Sequence, residues 1–284
     1  MKKYTTIILT LIVVIALVHL YKIKNLTNLN YPKYFPNIEY DLSKNPIDED
    51  KIELGKILFY DPILSKNNQV SCASCHSSYN AFAHTDHKLS HGINDKIGNR
   101  NAPGLFNLLW QKEFMWDGAV NHLDMQALAP INSPIEMGES TRNLISKLQK
   151  TNYYPELFYS AFGDSIITTE HLLKSLSQFQ LTLISSNSKY DSVIKREAKF
   201  SDKEKRGYEL FKNNCNSCHT EPMFTNYEYK KNGIKEDSTL KDFGRYNITG
   251  NVNDKYLFKV PSLRNLKYSY PYMHDGRFEK LQFV

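Results

Sequence analysis

Two short motifs, at residues 72–76 and 215–219, constrain the fold of this chain more than any other feature. Each reads C-x-x-C-H, and together they use all four cysteines of the 284 residues. A C-x-x-C pair occurs in zinc sites, in redox sites and in covalent haem attachment sites. A histidine directly after the second cysteine favours haem, because it can bind the iron from one side. Zinc usually takes four ligands from one small knuckle, whereas these pairs lie about half the chain apart.

The motifs therefore predict two covalently attached haem c groups, which would use every thiol in the chain. Zinc and structural disulfides are the alternatives that the spacing leaves open. Each haem would be held by two cysteines and one histidine, in the sets Cys72, Cys75 and His76, and Cys215, Cys218 and His219.

The N-terminus has the pattern of an export segment. Lys2 and Lys3 precede an apolar run over residues 7–20, and Lys22 and Lys24 follow it. Residues 1–24 are thus predicted to be a secretory signal or membrane anchor. We favour an uncleaved anchor, because no small-x-small cleavage site follows the run. Haem c is attached outside the cytoplasm, so the expected location is the periplasm, with anchoring to the inner membrane.

The charge of the chain excludes one class of partner. The formal net charge is +6, but the lysines are scattered and form no basic stripe. We therefore expect no nucleic-acid binding. A mildly basic surface is compatible with ordinary solubility and with docking of an acidic redox partner.

An internal repeat predicts two similar domains. The pattern G-x-x-L-F occurs at residues 55–59 and at 207–211, each time before a C-x-x-C-H motif. Ser201 and Glu204 form a capping box that would start the second helix. Both stretches are predicted to be amphipathic helices that lead into the attachment site, with leucine and phenylalanine on the apolar face.

The fold class predicted from these patterns is mainly α. Leucines and a phenylalanine recur at helical spacing over residues 172–183, which predicts a core helix between the repeats. Strand-like alternation is scarce, and irregular loops should be common. We expect two cytochrome-c-like domains, at residues 25–190 and 191–284, each carrying one covalent haem and preceded by the N-terminal hydrophobic segment.

Six further motifs occur in a fixed order from about residue 45 onward, and together they carry a family resemblance. The chain resembles the bacterial di-haem cytochrome c peroxidases, which are related to di-haem enzymes of methylamine utilisation that oxidise tryptophans in a partner protein. The motifs are LGKILFYDPILS (54–65), GNRNAP (98–103), FMWDGAVNHLDMQALAPI (114–131), EMG (136–138), KVPSLRN (259–265) and PYMHDGRF (271–278).

The resemblance implies an enzyme that reduces hydrogen peroxide to water. Peroxide would react at the N-terminal haem, and the C-terminal haem would receive electrons from a small cytochrome c or copper protein. A homodimer is also compatible with the family. Two other functions stay open, namely a di-haem oxidase that modifies a partner protein and a non-catalytic di-haem electron-transfer protein.

The resemblance also assigns three catalytic residues. Glu136 would be the acid–base group over the N-terminal haem, since cleavage of peroxide needs a proton moved between its oxygens. Gln126 would hold peroxide or water by hydrogen bonds. Trp116 matches the tryptophan that lies between the two haems in the family.

A calcium ion between the domains is a further implication of the resemblance. Asn101 and Pro271 match residues whose oxygens hold calcium, an ion that prefers oxygen ligands. Ser269 stands where the family often has threonine, which matters little if the ligand is a backbone carbonyl.

Two additional iron ligands are candidates. His91 is the candidate for the loop histidine that binds the resting N-terminal haem in many relatives, and His84 and His87 lie close to it in sequence. Met273, in PYMHDGRF, is the only thioether near the place where the family's distal ligand of the C-terminal haem is expected. We expect a truncated C-terminal domain, because the family's distal ligand follows PYMHDG on a helix that this sequence does not reach.

Overall fold

The computed structural model describes residues 29–284 and is predominantly helical, with long irregular connections. Within this range the only strands are β1 (Tyr229–Lys230) and β2 (Phe258–Lys259), which pair antiparallel with Tyr229 opposite Lys259. The expectation of a mainly α fold is confirmed. The predicted export segment at residues 1–24 lies outside the described residues. From residue 29 onward, no helix is both long and apolar enough to span a bilayer.

The helices are short, and many are single turns. Short 3₁₀ turns lie between them at Pro62–Leu64, Ser78–Asn80, Ile93–Asp95, Leu108–Trp110, Val252–Asp254 and Leu281–Phe283. The α-helices of the described chain are α1 (Glu49–Tyr60), α2 (Cys72–Cys75), α3 (Leu123–Gln126), α4 (Leu128–Asn132), α5 (Thr141–Gln149), α6 (Tyr154–Phe162), α7 (Thr169–Leu181), α8 (Lys189–Ile194), α9 (Asp202–Asn214) and α10 (Tyr246–Thr249).

The packing of α1 on α7 forms the centre of the hydrophobic core. Helix α1 begins after Asp48, whose Oδ1 accepts a hydrogen bond from the backbone N–H of Lys51 at 3.0 Å. Such an N-cap satisfies one of the free amides of the first turn. The core helix predicted over residues 172–183 is confirmed as α7, although it ends at Leu181. Its buried apolar side chains are Leu172, Leu173, Leu176, Phe179 and Leu181.

Gly55 allows α1 and α7 to approach closely. A Cβ atom at Gly55 would lie 1.8 Å from the carbonyl oxygen of Ser175, which is backbone in α7 and cannot rotate away. Overpacking of this kind costs about 1–3 kcal/mol. Gly207 occupies the matching position of the sequence repeat in α9, but a Cβ atom there would meet no heavy atom within 4 Å.

These two glycines predict opposite responses to the same substitution. Gly55→Ala should lower the free energy of unfolding by about 1–3 kcal/mol, because the helices must separate. Gly207→Ala should raise it by about 0.5–1 kcal/mol, because alanine favours a helix interior. Chemical denaturation of both variants measures the difference. Equal changes in the two variants would contradict a close contact at Gly55.

Helix α9 confirms the second predicted helix. The capping box is present, with the Ser201 backbone N–H donating to the Glu204 carboxylate at 2.7 Å. Leu210, however, is 65% exposed, and no residue of α9 is fully buried among the described residues. Phe211 of the same helix packs on Phe224, with ring centroids 5.4 Å apart, so the two apolar residues of the repeat have different surroundings.

A buried ion pair fastens α8 to the C-terminal part of the chain. Arg264 donates two hydrogen bonds of 2.9 Å to the carboxylate of Asp191, and both side chains are almost fully buried. Tyr34 also donates to Asp191, at 2.7 Å. The predicted domain boundary after residue 190 falls inside α8, and the division into two domains stays a prediction.

Candidate functional site

A single large cavity of about 640 Å³ brings the predicted site residues together. Its wall includes residues from both C-x-x-C-H motifs and from most of the quoted sequence motifs. Of the fourteen candidates, only Cys215, which is exposed, is not part of the wall. The lining candidates are Cys72, Cys75, His76, His91, Asn101, Trp116, Gln126, Glu136, Cys218, His219, Ser269, Pro271 and Met273.

The first attachment motif is formed by α2 and the histidine that follows it. The backbone N–H of His76 donates to the Cys72 carbonyl at 2.9 Å and so closes the last turn of α2. Nδ1 of His76 donates to the Phe82 carbonyl at 2.8 Å. This bond fixes the tautomer and leaves Nε2 as the metal-binding nitrogen. Burial lowers the pKa of His76 to about 4, so the imidazole is neutral, as a metal ligand must be.

The cysteines of this motif lie in surroundings of low polarity. Burial raises the pKa of Cys72 to about 12 and that of Cys75 to about 11. The Glu136 carboxylate adds to the rise of the Cys75 pKa, and both residues line the same cavity. No disulfide joins the four cysteines. Both thiols are thus available for attachment.

The second attachment motif repeats this geometry at the end of α9. The backbone N–H of His219 donates to the Cys215 carbonyl at 2.9 Å. Nδ1 of His219 lies 3.1 Å from the Pro261 carbonyl and 3.3 Å from the Phe224 carbonyl. Nε2 is again left for a metal. Both donor sets therefore fit a haem with one axial imidazole.

Glu136 and Gln126 face the cavity from neighbouring segments. The backbone of Glu136 is fixed on both sides, because its N–H donates to the Ser133 carbonyl at 3.1 Å and its carbonyl accepts from Ile93 at 2.7 Å. Burial raises the pKa of the Glu136 carboxyl above its usual value. Gln126 ends α3, with Nε2 3.8 Å from Sδ of Met115. A half-buried carboxyl with a raised pKa suits a role in proton transfer.

Trp116 lies between residues of the N-terminal and C-terminal parts of the chain. Its indole Nε1 donates to the Asn101 carbonyl at 2.8 Å, and its own carbonyl accepts from the Lys259 N–H at 2.8 Å. The ring of His274 approaches it edge-on, with centroids 6.5 Å apart. The indole is therefore held in one orientation in the cavity wall.

Arg100 joins the loop of Trp116 to the C-terminal part of the chain, a role that sequence reasoning missed. Its guanidinium donates to Asp117 at 2.6 Å and to Asp242 at 2.6 Å, and all three side chains are largely buried. Lys259 is a second such residue. Its Nζ donates to the Glu113 carbonyl at 2.7 Å, and burial lowers its pKa to about 8.

His274 is a further residue of the wall to which the sequence assigned no role. Its ring stacks on Phe258 with centroids 3.8 Å apart. Nδ1 is buried and has no hydrogen-bond partner among the described residues. Arg100, Lys259 and His274 all belong to quoted family motifs, and that membership was the only signal that could have pointed to them.

The calcium and methionine predictions are not decided by this geometry. The Asn101 carbonyl already accepts from Trp116, and Nδ2 of Asn101 donates to the Lys88 carbonyl at 3.1 Å. Between residues 29 and 284, no group of three or more His, Cys, Asp or Glu could hold a metal ion. Met273 has a φ of +75°, and its sulfur lies 3.9 Å from Nδ2 of Asn232. Both sites stay predictions.

Known proteins resemble this chain over most of its length. A profile of the family described as di-haem cytochrome c peroxidase matches residues 49–199. Cytochrome c551 peroxidase of Nitrosomonas europaea is 37% identical over 237 residues, which cover 81% of this chain and 70% of that protein. Methylamine utilization protein MauG of Methylorubrum extorquens is 35% identical over 250 residues, which cover 84% of this chain and 69% of that protein.

Solved structures with a similar fold belong to the same group of proteins. The crystal structure of a MauG-like protein associated with microbial copper homeostasis superposes with a TM-score of 0.81 at 30% identity, covering 90% of this chain and 81% of that chain. The family description implies two haems and an oxidoreductase that acts on peroxide. Sequence and fold agree, and this chain belongs to the di-haem cytochrome c peroxidase family.

Proposed function

We propose that this protein reduces hydrogen peroxide to two waters with two electrons and two protons, and that a small cytochrome c or copper protein supplies the electrons. The observation that carries the proposal is the position of Glu136. Glu136 lines the same cavity as His76 and His219, its backbone carbonyl accepts a hydrogen bond of 2.7 Å from Ile93, and burial raises the pKa of its carboxyl. A pure electron carrier needs no acid–base group at this place.

Each of the proposed catalytic residues has a different role in this reaction. When bound at the first motif, the haem iron supplies the position at which the O–O bond is broken. Glu136 takes a proton from the near oxygen and delivers it to the far oxygen, which leaves as water. Gln126 orients peroxide through its carboxamide. Trp116 shortens the gap between the two attachment motifs, and the second motif receives electrons from the donor.

The same proposal includes the location of the protein. Residues 1–24 direct export, so the haem-binding part lies in the periplasm and is anchored to the inner membrane through this segment. Calcium at Asn101, Ser269 and Pro271 and a homodimer are further parts of the proposal. The oxygen chemistry of those three residues supports calcium.

A steady-state assay tests the main proposal. The purified two-haem protein is mixed with reduced cytochrome c, and donor oxidation is followed while peroxide is varied. We expect two molecules of donor to be oxidised for each peroxide consumed. The proposal would be contradicted if the donor were oxidised without peroxide, or if peroxide caused no oxidation of reduced cytochrome c or of a reduced small copper protein.

A second candidate is an oxidase that modifies a partner protein. Its support is the 35% identity to methylamine utilization protein MauG over 84% of this chain. Such an enzyme would consume peroxide together with a protein substrate and would oxidise reduced cytochrome c poorly. The donor assay therefore separates the two functions.

A further inference from the structure

Lys259 is bonded at several points to one short segment, the residues that lead up to Trp116. Its backbone N–H donates to the Trp116 carbonyl at 2.8 Å. Its Nζ donates to the Glu113 carbonyl at 2.7 Å and to Oε1 of Gln111 at 3.0 Å. Lys259 thus holds residues 111–116 through both its main chain and its side chain.

The ammonium of Lys259 has no directly bonded carboxylate among residues 29–284. Two of its three N–H donors are used, and both acceptors are neutral oxygens. The acidic groups whose charges act on it, Glu113 and Asp117, form their own ion pairs with Arg245 and Arg100. Burial of an ammonium without a bonded counter-charge disfavours the charged form, in agreement with its lowered pKa.

Lys259 lies in the cavity wall between the two attachment motifs. The residue is half-buried and lines the cavity, as do Gln111 and Trp116. Two residues further along the chain, the Pro261 carbonyl lies 3.1 Å from Nδ1 of His219. Lys259 therefore connects the segment of Trp116 with the chain that orients the histidine of the second motif.

The other lysine and arginine side chains of the wall are paired or exposed. Arg100 donates to two carboxylates. Lys230 and Lys231 are both exposed, and Lys230 pairs with Glu228 at 2.8 Å. Lys259 is thus the half-buried ammonium of this wall that lacks a carboxylate from the described part of the chain. Because a charge removed from water needs a counter-charge, its partner should come from the group that fills the cavity.

The haem implied for the cavity carries such a counter-charge. Its vinyl groups are used for attachment to the cysteines, but its carboxylate side chains stay free and are ionised at neutral pH. A hydrogen bond between an ammonium and a carboxylate is about twice as strong as one between neutral groups. The link from Lys259 through Pro261 to His219 indicates the haem of the second motif as the source of this carboxylate.

We propose that the Lys259 ammonium binds a carboxylate of the C-terminal haem, which is attached at the second motif, and that this ion pair joins the haem to the segment of Trp116. The inference rests on the proposed function, from which it takes the haem at the second motif. It gives Lys259 a role in holding the cofactor and in setting the charge around it.

The midpoint potential of the C-terminal haem tests the ion pair. Lys259→Met has a side chain of similar length without the charge. A nearby cation favours the reduced haem, because reduction removes one positive charge from the iron. Loss of a unit charge at an effective dielectric constant of about 20 should shift the equilibrium about tenfold toward the oxidised haem, which lowers the potential by about 59 mV. Spectroelectrochemical titration of the two-haem protein measures this shift, and a Cys72→Ala/Cys75→Ala variant identifies the spectrum of the C-terminal haem.

Two control variants separate the charge from the packing. Lys259→Arg keeps the positive charge and should keep a potential close to that of the wild type. Lys230→Met removes an exposed cation of the same wall, whose charge is paired with Glu228 and screened by solvent. This variant should leave the potential of the C-terminal haem unchanged.

The pH dependence of the wild-type protein is a test that needs no variant. Without a carboxylate partner, the Lys259 ammonium would lose its proton near the pKa of about 8 that burial gives it. A bound carboxylate favours the charged form and raises this pKa. The potential of the C-terminal haem should therefore show no separate fall as the pH rises through about 8.

Several results would overturn the inference. They are an unchanged potential in Lys259→Met, an equal shift in Lys230→Met, a shift confined to the N-terminal haem, and a potential in Lys259→Arg as low as in Lys259→Met. A wild-type potential that falls as the pH rises through about 8 would also overturn it. A shift that varies with the chloride or phosphate concentration would identify a small inorganic anion as the partner instead.

A failure of the proposed function gives a different result. A protein that carries both haems and does not reduce peroxide would contradict the function. The potential of its C-terminal haem would still show whether Lys259 binds the carboxylate.

Discussion

Glu136→Gln should lower peroxide turnover by a factor of about 10² to 10⁴ while both haems and the fold remain. Glutamine has nearly the shape of glutamate, but it cannot carry a proton between the two peroxide oxygens. Turnover is measured per haem with reduced donor, and haem content and thermal unfolding are measured on the same sample. Reduction of the C-terminal haem by the donor should be normal.

The pH profile gives a second measure of the same group. Burial raises the pKa of Glu136 above the usual value for glutamate. The carboxylate that accepts the first proton is lost as the pH falls through this raised pKa. The acidic limb of the wild-type profile should therefore lie at a higher pH than an ordinary glutamate would give, and it should be absent from Glu136→Gln.

Glu139→Gln is the matched control, three residues away in the same segment. The Glu139 carboxylate is buried and accepts a hydrogen bond of 3.0 Å from Lys147. Removing one partner of a buried pair leaves an uncompensated charge. Glu139→Gln should therefore lower thermal stability and leave turnover near the wild-type value. The same pattern in Glu136→Gln would assign Glu136 a structural role and remove it from the mechanism.

Replacing either cysteine pair by alanine should remove one haem and leave the other. Cys72→Ala with Cys75→Ala should abolish peroxide turnover completely, because the proposed reaction takes place at that haem. Cys215→Ala with Cys218→Ala should instead stop electron delivery from the donor. A haem-stained denaturing gel and the intact mass report covalent haem, and the expected count falls from two to one.

Two measurements on the wild-type protein test the alternative roles of the cysteines, namely zinc binding and disulfide formation. Zinc would be detected by metal analysis of the wild-type protein, which would then carry no haem. Disulfides would shift the mass of the protein only by the lost hydrogens. Either result would contradict haem attachment, and with it the roles assigned to both motifs.

The parts of the fold that depend on local pattern could be predicted from the sequence. The helical spacing of leucines predicted α7, and the capping box at Ser201 predicted the start of α9. The repeat predicted equivalent helices, but Gly55 packs against Ser175 whereas nothing packs on Gly207. A short repeat determines local conformation, whereas burial depends on partners that lie far away in the chain.

The same distinction explains which parts of the site the sequence missed. The attachment motifs are local, so the sequence alone named His76 and His219, whose roles as haem ligands stay predictions, whereas their Nδ1 contacts with Phe82 and Pro261 could not be read from it. The pair of Arg100 with Asp242 joins residues 142 positions apart. The edge-on approach of His274 to Trp116 depends on the path of irregular loops, and no periodic pattern marks it.

The pairing of Arg100 with carboxylates from both parts of the chain has a consequence for ionic strength. Buried charges are screened by salt much less than exposed ones, for which the Debye length is about 8 Å at physiological ionic strength. The exposed fractions of the three side chains are 18%, 6% and 2% for Arg100, Asp117 and Asp242. The distances from the Arg100 guanidinium to the carboxylates of Asp117 and Asp242 should therefore stay constant between dilute and concentrated buffers. The loop that carries Trp116 should keep its position as well. Salt dependence in the overall reaction would then arise at the outer surface, where the donor binds.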